Sequence, residues 1–146
     1  MSVAAENNSR RDQAEVDGTD APLRPVRILI ATIADLPEGG GRTSRLKTLA
    51  GCLVRQGHAV RIWSKYVLGQ FPPEWMALRG AVEGAPFEII SGSTARIPGV
   101  RSLFMKICTT AKMAARLWRE RRAVDVLWLN ELSFHDMWPL MAVARL

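Results

Sequence analysis

Cysteine is scarce: Cys52 and Cys108 are the only two in 146 residues. Such an isolated pair makes neither a disulfide framework nor a metal cluster, and both are expected as reduced, buried thiols. Long apolar runs are missing as well. No stretch approaches the ~18 consecutive apolar residues of a membrane span, and the N-terminus has no apolar core of signal-peptide length. A cytoplasmic location is therefore the default, and the glycosylation triplet Asn7-Asn8-Ser9 carries little weight. Internal repeats are absent, as is a nucleophile elbow of the G-x-S-x-G type. Residues 1–24 contain no aromatic side chain and are polar with mixed charge, so they bury too little to offset ordering entropy. They are expected as a disordered tail, leaving one domain over 25–146.

What is present centres on residues 26–64. The run Val26-Arg27-Ile28-Leu29-Ile30-Ala31-Thr32-Ile33 is apolar without alternation, as in a strand covered on both faces. Leu46, Leu49, Ala50, Leu53 and Val54 then form one stripe of a helix that ends at Gly57, where a positive φ is expected. Ala59-Val60-Arg61-Ile62-Trp63-Ser64 reads as a second strand. Two parallel strands need a crossover of this length, so the stretch is a right-handed βαβ unit. Between first strand and helix lie Gly39, Gly40 and Gly41, followed by Arg42, Thr43 and Ser44. At a helix N-terminus, glycines let a phosphate approach unpaired amides, with a cation and two hydroxyls beside them. The alternative is that the three glycines only make a tight turn.

Downstream, residues 65–86 read as irregular, with one helical turn near 74–79 and with Phe71, Trp75, Met76 and Leu78 pinning the segment to the domain. Phe87–Ser91 reads as a third strand and 125–130 as a fourth. A helix is expected over about 100–121, with Val100, Leu103, Phe104, Ile107, Ala111, Ala114 and Trp118 as its apolar stripe. The final helical pattern, from about 136 to 146, breaks off without a cap, and four strands are fewer than doubly wound sheets usually carry, so the sequence looks cut short. The expected fold is α/β: a Rossmann-like parallel sheet with helices on both faces, incomplete at about four strands.

The net charge of +6 resides in one place. Residues 100–122 hold seven basic residues against the single acid Glu120, and the rest of the chain balances. That helix admits peripheral contact with anionic lipid on the inner face of the membrane, or a solvated face on a helix packed to the sheet. Nucleic acid is not expected, because the basic residues are not interleaved with exposed aromatics and no binding module is recognisable.

The glycine loop departs from a P-loop, since Leu36 and Arg42 stand where glycine and lysine would be needed. It approaches the dinucleotide pattern through Gly39, Gly41 and Ser44, but Ser64-Lys65 replaces the acid that holds a ribose. Lys65 leaves open the 2′-phosphate of NADP. After the fourth strand, Asn130-Glu131-Leu132-Ser133-Phe134-His135-Asp136 would lie at the same carboxyl edge. Glu131, His135 and Asp136 there suit a base, a donor or a carboxylate orienter, while Ser133 or Asp136 equally suits a helix cap.

Arg27-Ile28-Leu29-Ile30, Pro37-Glu38-Gly39-Gly40-Gly41, the pattern Leu49-Ala50-x-x-Leu53-x-x-x-Gly57-His58-x-Val60 and Asp125-Val126-Leu127-Trp128 together resemble the N-terminal half of GT-B glycosyltransferases of the family 4 type. The resemblance covers about 26–146. It implies an acceptor-side domain that, with a donor-binding partner domain, moves a sugar from a nucleotide-sugar donor to a carbohydrate or lipid-linked acceptor, with no metal and no further cofactor. By position, Gly39, Gly40, Gly41, Arg42 and Thr43 would form the loop at the donor diphosphate, and Asn130, Glu131 and His135 would border the acceptor. Where family members often carry histidine after the fourth strand, this chain reads Asn130-Glu131. No counterpart of the family's donor domain is present, so little turnover is expected from this chain alone. A non-catalytic Rossmann-like module binding a nucleotide or a membrane surface, and an NADP-dependent oxidoreductase fragment, are the rival readings.

Overall fold

The computed structural model describes residues 24–66, 71–92 and 101–145; the expected N-terminal tail lies outside them. Five strands form one sheet: β1 (Arg27–Thr32), β2 (Ala59–Lys65), β3 (Arg79–Val82), β4 (Ala85–Ile90) and β5 (Val126–Asn130). Their order is β3-β4-β2-β1-β5, parallel except for β3. Three helices accompany them: α1 (Gly41–Arg55), α2 (Arg101–Glu120) and α3 (Phe134–Ala144).

The absence of alternation in β1 has the cause expected. Ile28 and Ile30 join Leu46 and Ala50 of α1, together with Val60 and Ile62, in one core. Leu29 and Ala31 join Trp63, Met113 and Leu117 of α2 and Leu140 of α3 on the opposite face. Both sides of this interior strand are therefore dry, which is the condition that selects a continuous apolar run.

α1 ends as its sequence requires. Gly57 has φ +84°, its amide donates to Val54 O at 2.9 Å, and the His58 amide donates to Leu53 O at 3.0 Å. These two bonds satisfy carbonyls the last turn would otherwise leave unpaired. His58 then accepts a hydrogen bond at Nδ1 from the Val26 amide at 3.4 Å, tying the helix exit to the entry of β1.

Three expectations are corrected. The segment 65–86 is not merely irregular: after a 3-10 turn at Pro73–Ala77 it forms β3, which turns back antiparallel into β4. The turn residues Glu83 (φ 50°) and Gly84 (φ 81°) both have positive φ, the geometry that suits a two-residue hairpin. Gly80 in β3 leaves room for Phe87, since a Cβ there would stand 2.7 Å from its ring. Phe71 is buried, with Trp75, Met76 and Leu78 against the same core, as expected. Second, Cys52 is exposed and Cys108 half-buried rather than both buried.

The third correction concerns α2: of its expected apolar stripe, Val100 lies outside the described residues and Ala114 is half-buried against the core, but the other members face outward. Leu103 is 60% exposed, Ile107 59%, Phe104 45% and Trp118 43%, and Ala111 is exposed too. The face turned to the sheet carries Met105, Thr109, Thr110, Met113 and Leu117. The reason is written in the strands beneath. On that side β2 presents Arg61, Trp63 and Lys65, and β4 presents Glu88, so the helix must bring polar partners. Arg116 reaches Glu88 at 2.6 Å and Glu120 at 2.8 Å, and its guanidinium lies 4.9 Å over the Trp63 ring. Glu120 in turn accepts from Arg61 at 2.7 Å. Thr109 accepts from the Gly92 amide and donates to Met105 O, each at 2.7 Å, so its burial leaves no group unpaired.

Candidate functional site

Chain order reverses between β1 and β5, the neighbours at one side of the sheet, and in open α/β sheets ligands bind outside the carboxyl ends of strands at such a point. Here the loops after β1 and β5 meet. Thr32, fully buried at the end of β1, accepts from the Ala34 amide at 3.1 Å and from Asn130 Nδ2 at 3.4 Å. Ser64, at the carboxyl end of β2, donates to Ala34 O at 2.7 Å. Leu36 is buried below, and Thr43 donates its hydroxyl to Asp35 O at 3.2 Å. The root of the loop is thus stapled from β1, β2 and α1, with Asn130 of β5 bracing Thr32, and its tip is exposed.

The three glycines differ. Gly39 serves the fold, because a Cβ there would stand 2.3 Å from Thr43 Oγ1 and 2.7 Å from Asp35 O. Gly40 and Gly41 do not: a Cβ at either meets nothing within 4 Å, and neither has positive φ. Among the described residues no protein acceptor takes the amides of Gly40, Gly41, Arg42 or Thr43. They border a cleft of about 280 Å³ lined by Ile33, Ala34, Asp35, Gly40, Gly41, Arg42 and Thr43. The bend is open, and its amides point out of the helix start where the backbone dipole is positive.

The two hydroxyls expected beside those amides are turned elsewhere. Thr43 is buried with its hydroxyl on Asp35 O, and Ser44 Oγ donates to Gly40 O at 3.4 Å. Arg42 is exposed and lies 3.6 Å from Glu131, which follows β5 with φ 57°. Of the residues expected at the acceptor side, Glu131 therefore reaches the glycine loop, while Asn130 reaches only Thr32 at the end of β1. His135 instead lies exposed in the first turn of α3 with its ring edge toward Phe134, and no hydrogen bond or ion pair among the described residues joins it to the loop.

Lys65 does not face the cleft. Its ammonium is buried under α2 and α3, where it donates to Asp136 and, at 3.1 Å, to Thr110 Oγ1. Thr110 and Ser133 also donate to Asp136, at 2.5 and 2.7 Å. Burial works to raise the Asp136 carboxyl, but these three hydrogen bonds and the Lys65 charge outweigh it and hold it below its ordinary value. Asp136 is thus a fixed counter-ion, which removes the group that kept an NADP 2′-phosphate open. The side chain of Ser133 bonds that carboxylate, while its carbonyl takes the first α3 amides, from Asp136 at 2.9 Å and Met137 at 3.0 Å.

A larger hollow, about 430 Å³, lies at the opposite, amino edge of the sheet beneath Val54, His58 and Pro86. Its two arginines are already engaged, Arg27 with Asp125 at 2.7 Å and Arg61 with Glu120, and its lining is mostly apolar. The open loop amides stand at the carboxyl edge, so the smaller cleft is the stronger candidate.

No family model, curated protein or solved structure matches this chain. Function must be argued from the cleft itself.

Thr32 and Ser64 are unanticipated staples, and Asn130, expected at the acceptor side, instead braces Thr32. Their signal was available: a polar side chain ending a buried strand must find a partner, and here the nearest is the loop leaving β1.

Proposed function

We propose that this chain is the acceptor-side domain of a glycosyltransferase that moves a sugar from a nucleotide-sugar donor to a carbohydrate or lipid-linked acceptor. One observation carries the reading: Gly40 and Gly41 are glycines that neither packing nor backbone conformation requires, and a Cβ at either would stand in open space beside unpaired loop amides. A phosphate is the ligand that needs that clearance. In sugar transfer the bond to the donor diphosphate breaks, and charge accumulates on the departing oxygens. The Gly40 and Gly41 amides, with the Arg42 guanidinium beside them, would stabilise that charge without rearranging. In this reading Glu131, beside Arg42, and Asn130, at the end of β5, would border the acceptor.

Amide-resolved NMR titration of the full chain with UDP, GDP and NADP tests this. The expected result is movement of the Gly40 to Thr43 amides with UDP or GDP. Gly40→Ala and Gly41→Ala should leave the melting temperature unchanged yet weaken that binding by roughly tenfold or more, the worth of one or two charge-assisted hydrogen bonds. A response to NADP alone, or unmoved loop amides with all three, would overturn the reading.

A further inference from the structure

Helix α2 is amphipathic in an unusual sense, because its apolar side is the one facing solvent. At 100° per residue, Leu103, Phe104, Ile107, Ala111, Ala115 and Trp118 fall on one sector and are exposed, while Ala114, also on it, is half-buried against the core. That sector runs for about four turns without a polar residue, and monomers seldom leave such a face open without use.

The charges around it are of one sign. Lys106, Lys112, Arg119 and Arg122 are exposed, and the Arg121 guanidinium lies 4.0 Å over the Trp118 ring at the end of the sector. Glu120 is the one acid of the segment, and it is held inward by Arg61 and Arg116. Nothing on the helix therefore offsets these cations in solvent. A second copy of the same face would set cation against cation, whereas an anionic surface complements the rim while its apolar layer receives the leucine, isoleucine and aromatic side chains.

We propose that the outward face of α2 is a membrane-surface contact that seats the protein on an anionic bilayer, apolar side chains at the acyl boundary and basic side chains among the headgroups. No helix among the described residues is long and apolar enough to cross a membrane, so the contact lies in the interfacial plane. It stands whether or not the cleft binds a nucleotide.

Co-sedimentation of the full chain with vesicles tests this contact. Binding is expected to phosphatidylcholine vesicles containing phosphatidylglycerol, with far less to pure phosphatidylcholine, and is expected to weaken as salt rises. Two exposed pairs divide the contributions. Leu103→Ser with Ile107→Ser strips the apolar face, and Arg119→Glu with Arg122→Glu reverses the rim. Each pair is expected to lower vesicle binding by about tenfold or more without changing the circular dichroism spectrum. If the serine pair lowers the melting temperature, the glutamate pair decides alone. Equal binding to neutral vesicles, binding that the glutamate pair leaves intact, or no binding would overturn the proposal. So would a concentration-dependent dimer that the serine pair disperses while vesicles are ignored, since it would mark an interface between copies.

Discussion

Lys65 ends β2 with its ammonium buried against Asp136 and Thr110, the kind of pair whose strength comes from having no water to fall back on. Breaking such a pair leaves one charge stranded, whereas replacing both members with apolar groups often costs little. Lys65→Met is accordingly expected to lower the unfolding free energy by about 3 kcal/mol, near the low end for a buried pair because Asp136 keeps two other donors. Lys65→Met with Asp136→Leu should recover most of that loss, and urea denaturation of the three proteins measures both effects. From the sequence, Lys65 stands at the strand end with its facing open, toward a 2′-phosphate or away from it; the structure turns it away. Strand residues alternate faces, and which face belongs to the cleft depends on where the next helices pack, which one strand does not reveal.

At the scale of elements, the course and exit of α1 were legible and the facing of α2 was not. The α1 stripe, its glycine exit and the return strand are local patterns that agree with one another. Gly57 sits at φ +84°, so Gly57→Ala is expected to cost about 1–2 kcal/mol, the penalty of a left-handed conformation for an L-residue with a side chain. Gly40→Ala, at negative φ in open space, should cost little, and chemical denaturation separates the two glycines. In α2 the strongest apolar periodicity pointed the wrong way. Its orientation was decided by distant residues, Arg61 and Glu88, whose charges needed Glu120 and Arg116 at the sheet. Burying an unpaired charge costs more than exposing a leucine, so the helix turns its ionic side inward. The strand β3 escaped notice for a related reason. Arg79-Gly80-Ala81-Val82 has little strand propensity, and it pairs because the Glu83-Gly84 turn folds it onto β4, where Arg79 meets Glu88 at 2.9 Å.

For the molecule as a whole, the carboxylates of Glu88, Glu120 and Asp136 link β2, β4, α2 and α3, and each titrates below its ordinary value. For the two glutamates burial pushes upward, but hydrogen bonds and charge from Arg116, Arg79 and Arg61 prevail. Groups lowered in this way hold their protons more tightly in the unfolded chain. The stability they confer is complete above the ordinary values, 4.5 for glutamate and 3.8 for aspartate, and is lost as pH falls through the lower folded ones. The melting temperature is therefore expected to be nearly level from about pH 5.5 to 8 and to fall steeply below about pH 4. A scan of thermal unfolding against pH checks this, and Asp136→Asn should shallow the fall. The α/β architecture was readable from residues 26–64 because a buried parallel strand and its crossover helix leave complementary patterns.

The contact between Arg42 and Glu131 gives the cleft a resident competitor. Whatever anion enters must draw the guanidinium from a carboxylate 3.6 Å away, so occupancy at one loop is felt at once by the other. Neutralising that rival with Glu131→Gln should tighten nucleotide binding by about two- to fivefold, the worth of an exposed ion pair. The first segment to register an occupant would then be the tether of α3, which hands a local exchange of anions on to the third helix.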